Sequence, residues 1–139
     1  MGWSLAMMRC LVACLICAAT PLWAEEPLDG AAFEARVTGK TLTFQVQGQS
    51  YGAEQYLPGR RVIWAFDGGP CHAGHWFEPD PGRICFRYDH DPGDLQCWAF
   101  FDDGGQLRAR FEGALPQDDL IEARRSPVPL ACPGPDVGV

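Results

Sequence analysis

The sequence predicts a single all-β domain, a small antiparallel meander barrel or flattened sandwich with one short N-terminal helix and disulfide staples. Residues 41–47 alternate polar and apolar side chains without a break, as in a strand with one buried face. Turn signals rich in Gly, Pro and Asp then recur every ten to twelve residues. No helical pattern of crossover length separates the strands, which argues against a parallel sheet.

The other elements follow from local patterns. A helix is predicted over residues 27–37, capped by Asp29 and ended by Gly39, with Leu28, Ala32 and Ala35 on one side at helical spacing. Further strands are predicted at residues 51–57, 61–66, 74–78, 83–89, 95–101, 106–111 and 120–124. The Pro-rich tail from Pro127 is expected to be held only by Cys132.

Residues 1–24 have the layout of a secretory signal peptide. A single positive charge, Arg9, precedes an apolar run that is too short to cross a bilayer, and Ala24 fits the residue before the cleavage site. Residues 11–14 also match a lipobox, so an acylated Cys14 is the alternative. Either route predicts a periplasmic or secreted domain over residues 25–139.

The charge of the exported part limits its partners. The chain has a net charge of −7, and residues 25–139 are more negative still because the only charge before them is Arg9. Nucleic acids and anionic lipid surfaces need clustered Lys and Arg, so both are disfavoured. We expect a monomer, with no further membrane span and no cofactor.

Four cysteines lie in the exported part, which predicts two disulfides with three possible pairings. If residues 83–89 and 95–101 form a hairpin, Cys85 lies opposite Cys97, within reach of a cross-strand bridge. Cys71 would then pair with Cys132. A zinc site is disfavoured because none of these four cysteines forms a C-x-x-C pair.

Three histidines are candidate metal ligands. His72 and His75 are three residues apart, and His90 lies in the next hairpin. Neutral imidazole is a common ligand for zinc and copper. However, residues i and i+3 of a strand face opposite sides, so convergence requires a bulge or a loop.

Aromatic residues are unusually dense for so small a domain. They either fill the core or line a barrel mouth that holds an apolar or ring-shaped ligand. The ligand-binding candidates are Tyr56, Trp64, Trp76 and Trp98.

Glu54 is the one candidate for acid–base chemistry. It lies between Tyr51 and Tyr56, where it is either a buried carboxyl with a raised pKa or the partner of Arg60 or Arg61. No catalytic triad, paired carboxylates or phosphate-binding loop is recognisable.

The order of motifs resembles a group of small exported proteobacterial proteins of unknown function. In that group a Gly-x-Trp precedes an Ile-Cys-Phe-x-Tyr strand and a Cys-Trp strand. Here these are residues 74–76, 84–88 and 97–98. The Gly-x-Trp is also similar to that of lipocalin-like barrels, although it lies mid-chain here. The resemblance implies a fold rather than an activity.

The sequence therefore predicts a non-enzymatic binding module for a small apolar molecule or an envelope protein. A metal-binding protein that uses His72 and His75 is the first alternative, and an enzyme that uses Glu54 is the second.

Overall fold

A computed structural model describes Ala19 and residues 25–132. In this part of the chain eight antiparallel strands close into a barrel in the order of the sequence. The elements are α1 (Gly30–Val37), β1 (Thr41–Val46), β2 (Gln49–Leu57), β3 (Arg61–Phe66), β4 (His72–Asp80), β5 (Arg83–Tyr88), β6 (Leu95–Asp103), β7 (Gln106–Phe111) and β8 (Leu120–Ser126). The predicted all-β fold is confirmed. The signal peptide predicted for residues 1–24, including Cys14 and Ala24, falls on residues that, apart from Ala19, lie outside the described part.

Because its sheet is closed, the fold is a barrel and not a sandwich. Each strand pairs with the next one, and β1 pairs with β8, so the sheet has no free edge. The β7–β8 seam has only two backbone pairs, Arg108 with Ile121 and Ala109 with Leu120. Beyond them the Leu107 amide donates to Glu122 Oε2 at 3.4 Å, so a side chain continues the seam.

Helix α1 closes one end of the barrel, which we call the closed end. It begins later than predicted because Asp29 is its N-cap and accepts from the Ala32 amide at 2.8 Å. Its buried side chains are Phe33 and Val37, both without solvent exposure.

Of the three apolar residues found at helical spacing, only Leu28 packs against the core, and it precedes the helix. Ala32 and Ala35 face solvent, because the larger apolar side chains four residues apart take the core positions. The Leu28 amide precedes the helix and donates to the Phe100 carbonyl at 2.7 Å, which holds the chain against β6. Within the described residues, no helix is long and apolar enough to cross a membrane.

The two disulfides have the predicted pairing. Cys85 and Cys97 lie directly opposite each other on β5 and β6, and Cys71 is bonded to Cys132. Since such bonds persist in oxidising surroundings, the pairing indicates an oxidising, extracellular type of compartment.

The tail after β8 is held by more than its disulfide, so that prediction was wrong. Thr41 Oγ1 donates to the Val128 carbonyl at 2.7 Å, and the Leu130 amide donates to Gln55 Oε1 at 3.1 Å. The tail therefore contacts the outer surface of β1 and β2 before it reaches Cys71.

Candidate functional site

The barrel interior is filled at one end and hollow at the other. At the closed end Phe33 packs on Tyr56, Trp76 and Phe100, with ring centroids 4.2–5.6 Å apart. The opposite end, which we call the open end, carries the β1–β2, β3–β4, β5–β6 and β7–β8 connections. A cavity of about 110 Å³, the rim cavity, lies there. Its lining includes Tyr51, Glu54, Trp64, Phe66, Tyr88 and Trp98.

Three aromatic rings form one side of the rim cavity. Trp64 and Phe66 alternate along β3 and so face the same side, and Tyr51 joins them from β2. The centroid of the Phe66 ring lies 5.3 Å from that of Trp64 and 5.4 Å from that of Tyr51, both in edge-to-face geometry. Phe66 is 50% exposed although it is a large apolar side chain. An apolar surface is therefore presented to solvent at the cavity entrance.

Two glycines let the cavity rings lie close to the backbone. A Cβ on Gly52 would come 2.6 Å from the Trp64 ring, and one on Gly74 would come 2.9 Å from the Tyr88 ring. Both are closer than real Cβ contacts, so the positions of these two rings depend on glycine. Gly74 belongs to the Gly-x-Trp motif of the sequence, which gives that motif a structural reason.

Two of the three predicted metal ligands lie together. The His72 and His90 rings are stacked with their centroids 3.8 Å apart, and both line the rim cavity. His75 faces the outside of β4, beside Phe77, because strand residues three apart point to opposite sides. Among the described residues no group of three or more His, Cys, Asp and Glu side chains is placed to hold a metal ion.

Glu54 lies inside the barrel and is only 2% exposed. Tyr88 Oη donates to its carboxyl, 2.9 Å from Oε1 and 3.2 Å from Oε2. Burial raises the pKa of Glu54 to about 8, against a smaller lowering by the Tyr88 hydrogen bond. The carboxyl is therefore mostly protonated at pH 7.

The sequence left open whether an arginine pairs with Glu54. Arg60 instead binds Glu34 on α1, with Nε 2.9 Å from Oε1. The other two buried carboxylates in residues 25–132 do have arginine partners: Asp119 binds Arg108 and Arg110, and Glu122 binds Arg125. Among these three, Glu54 alone has a tyrosine instead of a cation.

The phenols beside Glu54 also stay neutral. Burial first, and then the charge of Glu54, raise the pKa of Tyr88 and of Tyr56 above the usual range. With Glu54 protonated, the Glu54–Tyr88 pair carries two O–H hydrogens and one mutual hydrogen bond. The second hydrogen is available to a group that enters the cavity.

The structure brings three of the four predicted ligand-binding aromatics into the lining: Tyr56, Trp64 and Trp98. It places Trp76 elsewhere, since β4 runs from the open end to the closed end. The Trp76 ring packs on Phe33 and lies 4.4 Å from the Arg60 guanidinium.

Sequence reasoning missed Tyr51, Phe66 and Tyr88 as lining residues. The period-two pattern would have found Phe66 from Trp64, and Tyr88 from Phe86. Tyr51 carried no such signal.

No protein-family model matches this chain, and neither does any curated protein or any solved structure. The resemblance to small exported proteins therefore stays a prediction.

Proposed function

We propose that this protein is an exported binding module that holds a small ring-bearing molecule in the rim cavity. The observation that carries the proposal is the unequal filling of the barrel. Small barrels are normally filled by their own side chains. Here helix α1 fills only the closed end, while the aromatic residues at the open end surround a cavity.

The dimensions favour a ligand with one ring. An apolar cavity of about 150 Å³ is known to hold benzene, and the rim cavity measures about 110 Å³ and opens to solvent. One ring would pack against Trp64 and Trp98, and a substituent would reach either the entrance or the Glu54–Tyr88 pair.

We propose export through cleavage of residues 1–24 after Ala24. The signal layout of these residues and the two disulfides support it. The denatured mass of protein purified from the periplasm tests this directly. The expected mass is that of residues 25–139 less four hydrogens, whereas an acylated chain that begins at Cys14 would contradict it.

A second candidate function is catalysis by Glu54 as a general acid or base. A carboxyl whose pKa is about 8, placed in a cavity, is suited to proton transfer near neutral pH. If bound ligands are recovered chemically unchanged after long incubation, binding is the function. If a ligand is converted and Glu54→Gln stops the conversion, the function is catalysis.

The test of binding is a tryptophan-fluorescence titration with three single-ring probes: benzyl alcohol, benzylamine and benzoate. We expect at least one to saturate a single site with a Kd at or below about 1 mM, equivalent to about −4 kcal/mol. Phe66→Ala, at the cavity entrance, should weaken that binding severalfold. Phe77→Ala removes the same ring from the outside of β4 and is the matched control. Failure of all three probes to saturate, or equal effects of the two variants, would contradict the proposal.

A further inference from the structure

Resting on the proposed function, we propose that the rim cavity selects an organic cation. The ligand would be a ring-bearing amine whose ammonium group lies between the rim aromatics and the Glu54 carboxyl. Three independent features of the cavity support this choice over a neutral or an anionic ligand.

The first feature is the unused capacity of the Glu54 carboxyl. A carboxylate has two oxygens with about four lone-pair positions. Tyr88 Oη is its one hydrogen-bond donor among the described residues. An ammonium group has three N–H donors and no acceptor, so it complements the free positions.

The second feature is the arrangement of aromatic rings around that carboxyl. Glu54 lies directly opposite Trp64 in the β2–β3 pair, and Trp64 contacts Tyr51 and Phe66. The faces of such rings carry partial negative charge and attract cations, with Trp the strongest of them. A carboxyl in a cavity that is also lined by aromatic rings can give an ammonium group two kinds of favourable contact at once.

The third feature is charge. Within residues 25–132, neither Lys nor Arg lines the rim cavity, so a bound anion would have no fixed cation from this part of the chain. The net charge of the chain is −7, which raises the local concentration of cations and lowers that of anions.

Cation binding has a defined proton balance. Below pH 8 the Glu54 carboxyl holds a proton, and the free amine is already an ammonium ion. When the ammonium ion binds, the Glu54 proton leaves to solvent and a carboxylate–ammonium pair remains. About one proton is released per ligand at pH 7, so affinity rises with pH by up to about tenfold per unit and levels off above about pH 8.

Other titratable groups face the same cavity. Tyr51 and Tyr56 from β2 and Tyr88 from β5 are neutral phenols throughout this range, since the pKa of each is raised. His72 and His90 at the entrance would oppose a cation when protonated. Comparison with Glu54→Gln separates their effect from that of Glu54, because both histidines are kept in that variant.

The test is calorimetric titration of the disulfide-bonded protein with benzylamine, benzyl alcohol and benzoate. Benzylamine and benzyl alcohol have the same size and differ in charge. We expect benzylamine to bind at least tenfold more tightly than the other two at pH 8. At pH 7 its apparent binding enthalpy should vary with buffer ionisation enthalpy as expected for release of about one proton.

Glu54→Gln keeps the shape and an acceptor for Tyr88 but cannot ionise. We expect it to lose at least tenfold in benzylamine affinity and all of the proton release. The loss of benzyl alcohol affinity should be smaller, because that ligand carries no charge for the carboxylate to bind.

The outcomes separate the two proposals. If benzyl alcohol or benzoate binds as tightly as benzylamine, the cation inference is overturned and the binding function stands. If none of the three binds, both are overturned. The comparison of ligands on the unmodified protein decides this even if the variant does not fold.

Discussion

Glu54 shows how far a residue's role depends on its tertiary neighbours. Its place between Tyr51 and Tyr56 was compatible both with burial and with pairing to Arg60 or Arg61. The structure has the buried form: Glu54 points into the barrel opposite Trp64, and Arg60 binds Glu34 on the helix that closes the barrel. That contact spans 26 residues of sequence and left no local signal.

The first prediction concerns pH and stability. The pKa of Glu54 is about 8 in the folded protein and about 4.3 when unfolded, so folding binds the proton more tightly. The contribution of this proton to the free energy of unfolding is fully present below about pH 4 and is lost as pH rises through 8. Between these two pH values the free energy of unfolding falls by up to about 1.4 kcal/mol per pH unit, as expected for one proton.

Urea unfolding of the wild type and of Glu54→Gln between pH 5 and pH 9 measures this difference. We expect the variant to gain stability relative to the wild type as pH rises, up to about pH 8. Parallel pH profiles for the two proteins would show that Glu54 ionises normally in the fold.

The second prediction concerns Tyr88→Phe, which removes the hydroxyl that donates to Glu54. Loss of a partner for a buried polar group costs about 1–3 kcal/mol. The pKa of Glu54 should also rise further, because the Tyr88 hydrogen bond lowers it. The control is Tyr51→Phe, which removes a hydroxyl at the cavity entrance. Equal losses of unfolding free energy in the two variants would contradict the Glu54–Tyr88 bond.

At the scale of single elements, α1 acts as the plug of the barrel. Phe33 is fully buried among three aromatic rings of β2, β4 and β6. The helix start is fixed by Asp29 and by Glu78 Oε2, which accepts from the Gly30 and Gly82 amides at 2.6 and 2.8 Å. Since Glu78 lies on β4, its carboxylate joins the helix to the barrel wall.

The third prediction compares two phenylalanines at opposite ends of the barrel. Phe33→Ala should lower the free energy of unfolding by about 3–5 kcal/mol, as for a fully buried ring. Phe66→Ala should cost far less because its side chain is half exposed, yet it should weaken ligand binding. Chemical denaturation of both variants tests this. A similar loss of unfolding free energy in the two variants would contradict a barrel that is filled at one end and hollow at the other.

The strands were more predictable than the helix and the tail. Alternation and turn residues set the bounds of β3 and β7 correctly, because those signals are local. The spacing of Leu28, Ala32 and Ala35 did not identify the buried face of α1, since that face depends on how the helix lies across the barrel. The tail contacts of Val128 and Leu130 join residues 75 or more positions apart and left no pattern in the sequence.

The rim cavity itself was not predictable from the sequence. Trp64 and Trp76 are both inward-facing aromatics on neighbouring strands, and their sequence environments look alike. Only closure of the barrel and insertion of Phe33 put Trp76 in the filled half and Trp64 in the hollow one. Dense aromatics were therefore compatible both with a packed core and with a ligand site.

At the scale of the whole molecule, the disulfides close loops of different length. Cys71 and Cys132 are 61 residues apart, and Cys85 and Cys97 are 12 apart. The first bond ties the tail to the loop before β4, and the second joins neighbouring strands that already form a hairpin.

The fourth prediction follows from these lengths. In the loop-entropy model, loss of the long bridge costs about 4 kcal/mol and loss of the short one about 3 kcal/mol. Cys71→Ala/Cys132→Ala should therefore be the less stable double variant in urea. The double variant compared with it is Cys85→Ala/Cys97→Ala, which removes the short bridge. The reverse order would mean that packing of Cys85 and Cys97 within the sheet outweighs loop entropy.

The most direct test of the central claim is a two-dimensional ¹H–¹⁵N NMR titration that follows the tryptophan indole N–H signals. The sample is protein that comprises residues 25–139, and the probes are benzylamine and benzyl alcohol. Trp64 and Trp98 line the rim cavity, whereas Trp76 lies at the closed end. We expect the Trp64 and Trp98 signals to shift with saturation while the Trp76 signal stays in place. Shifts confined to Trp76, or equal shifts of all three, would contradict a ligand site at the open end of the barrel.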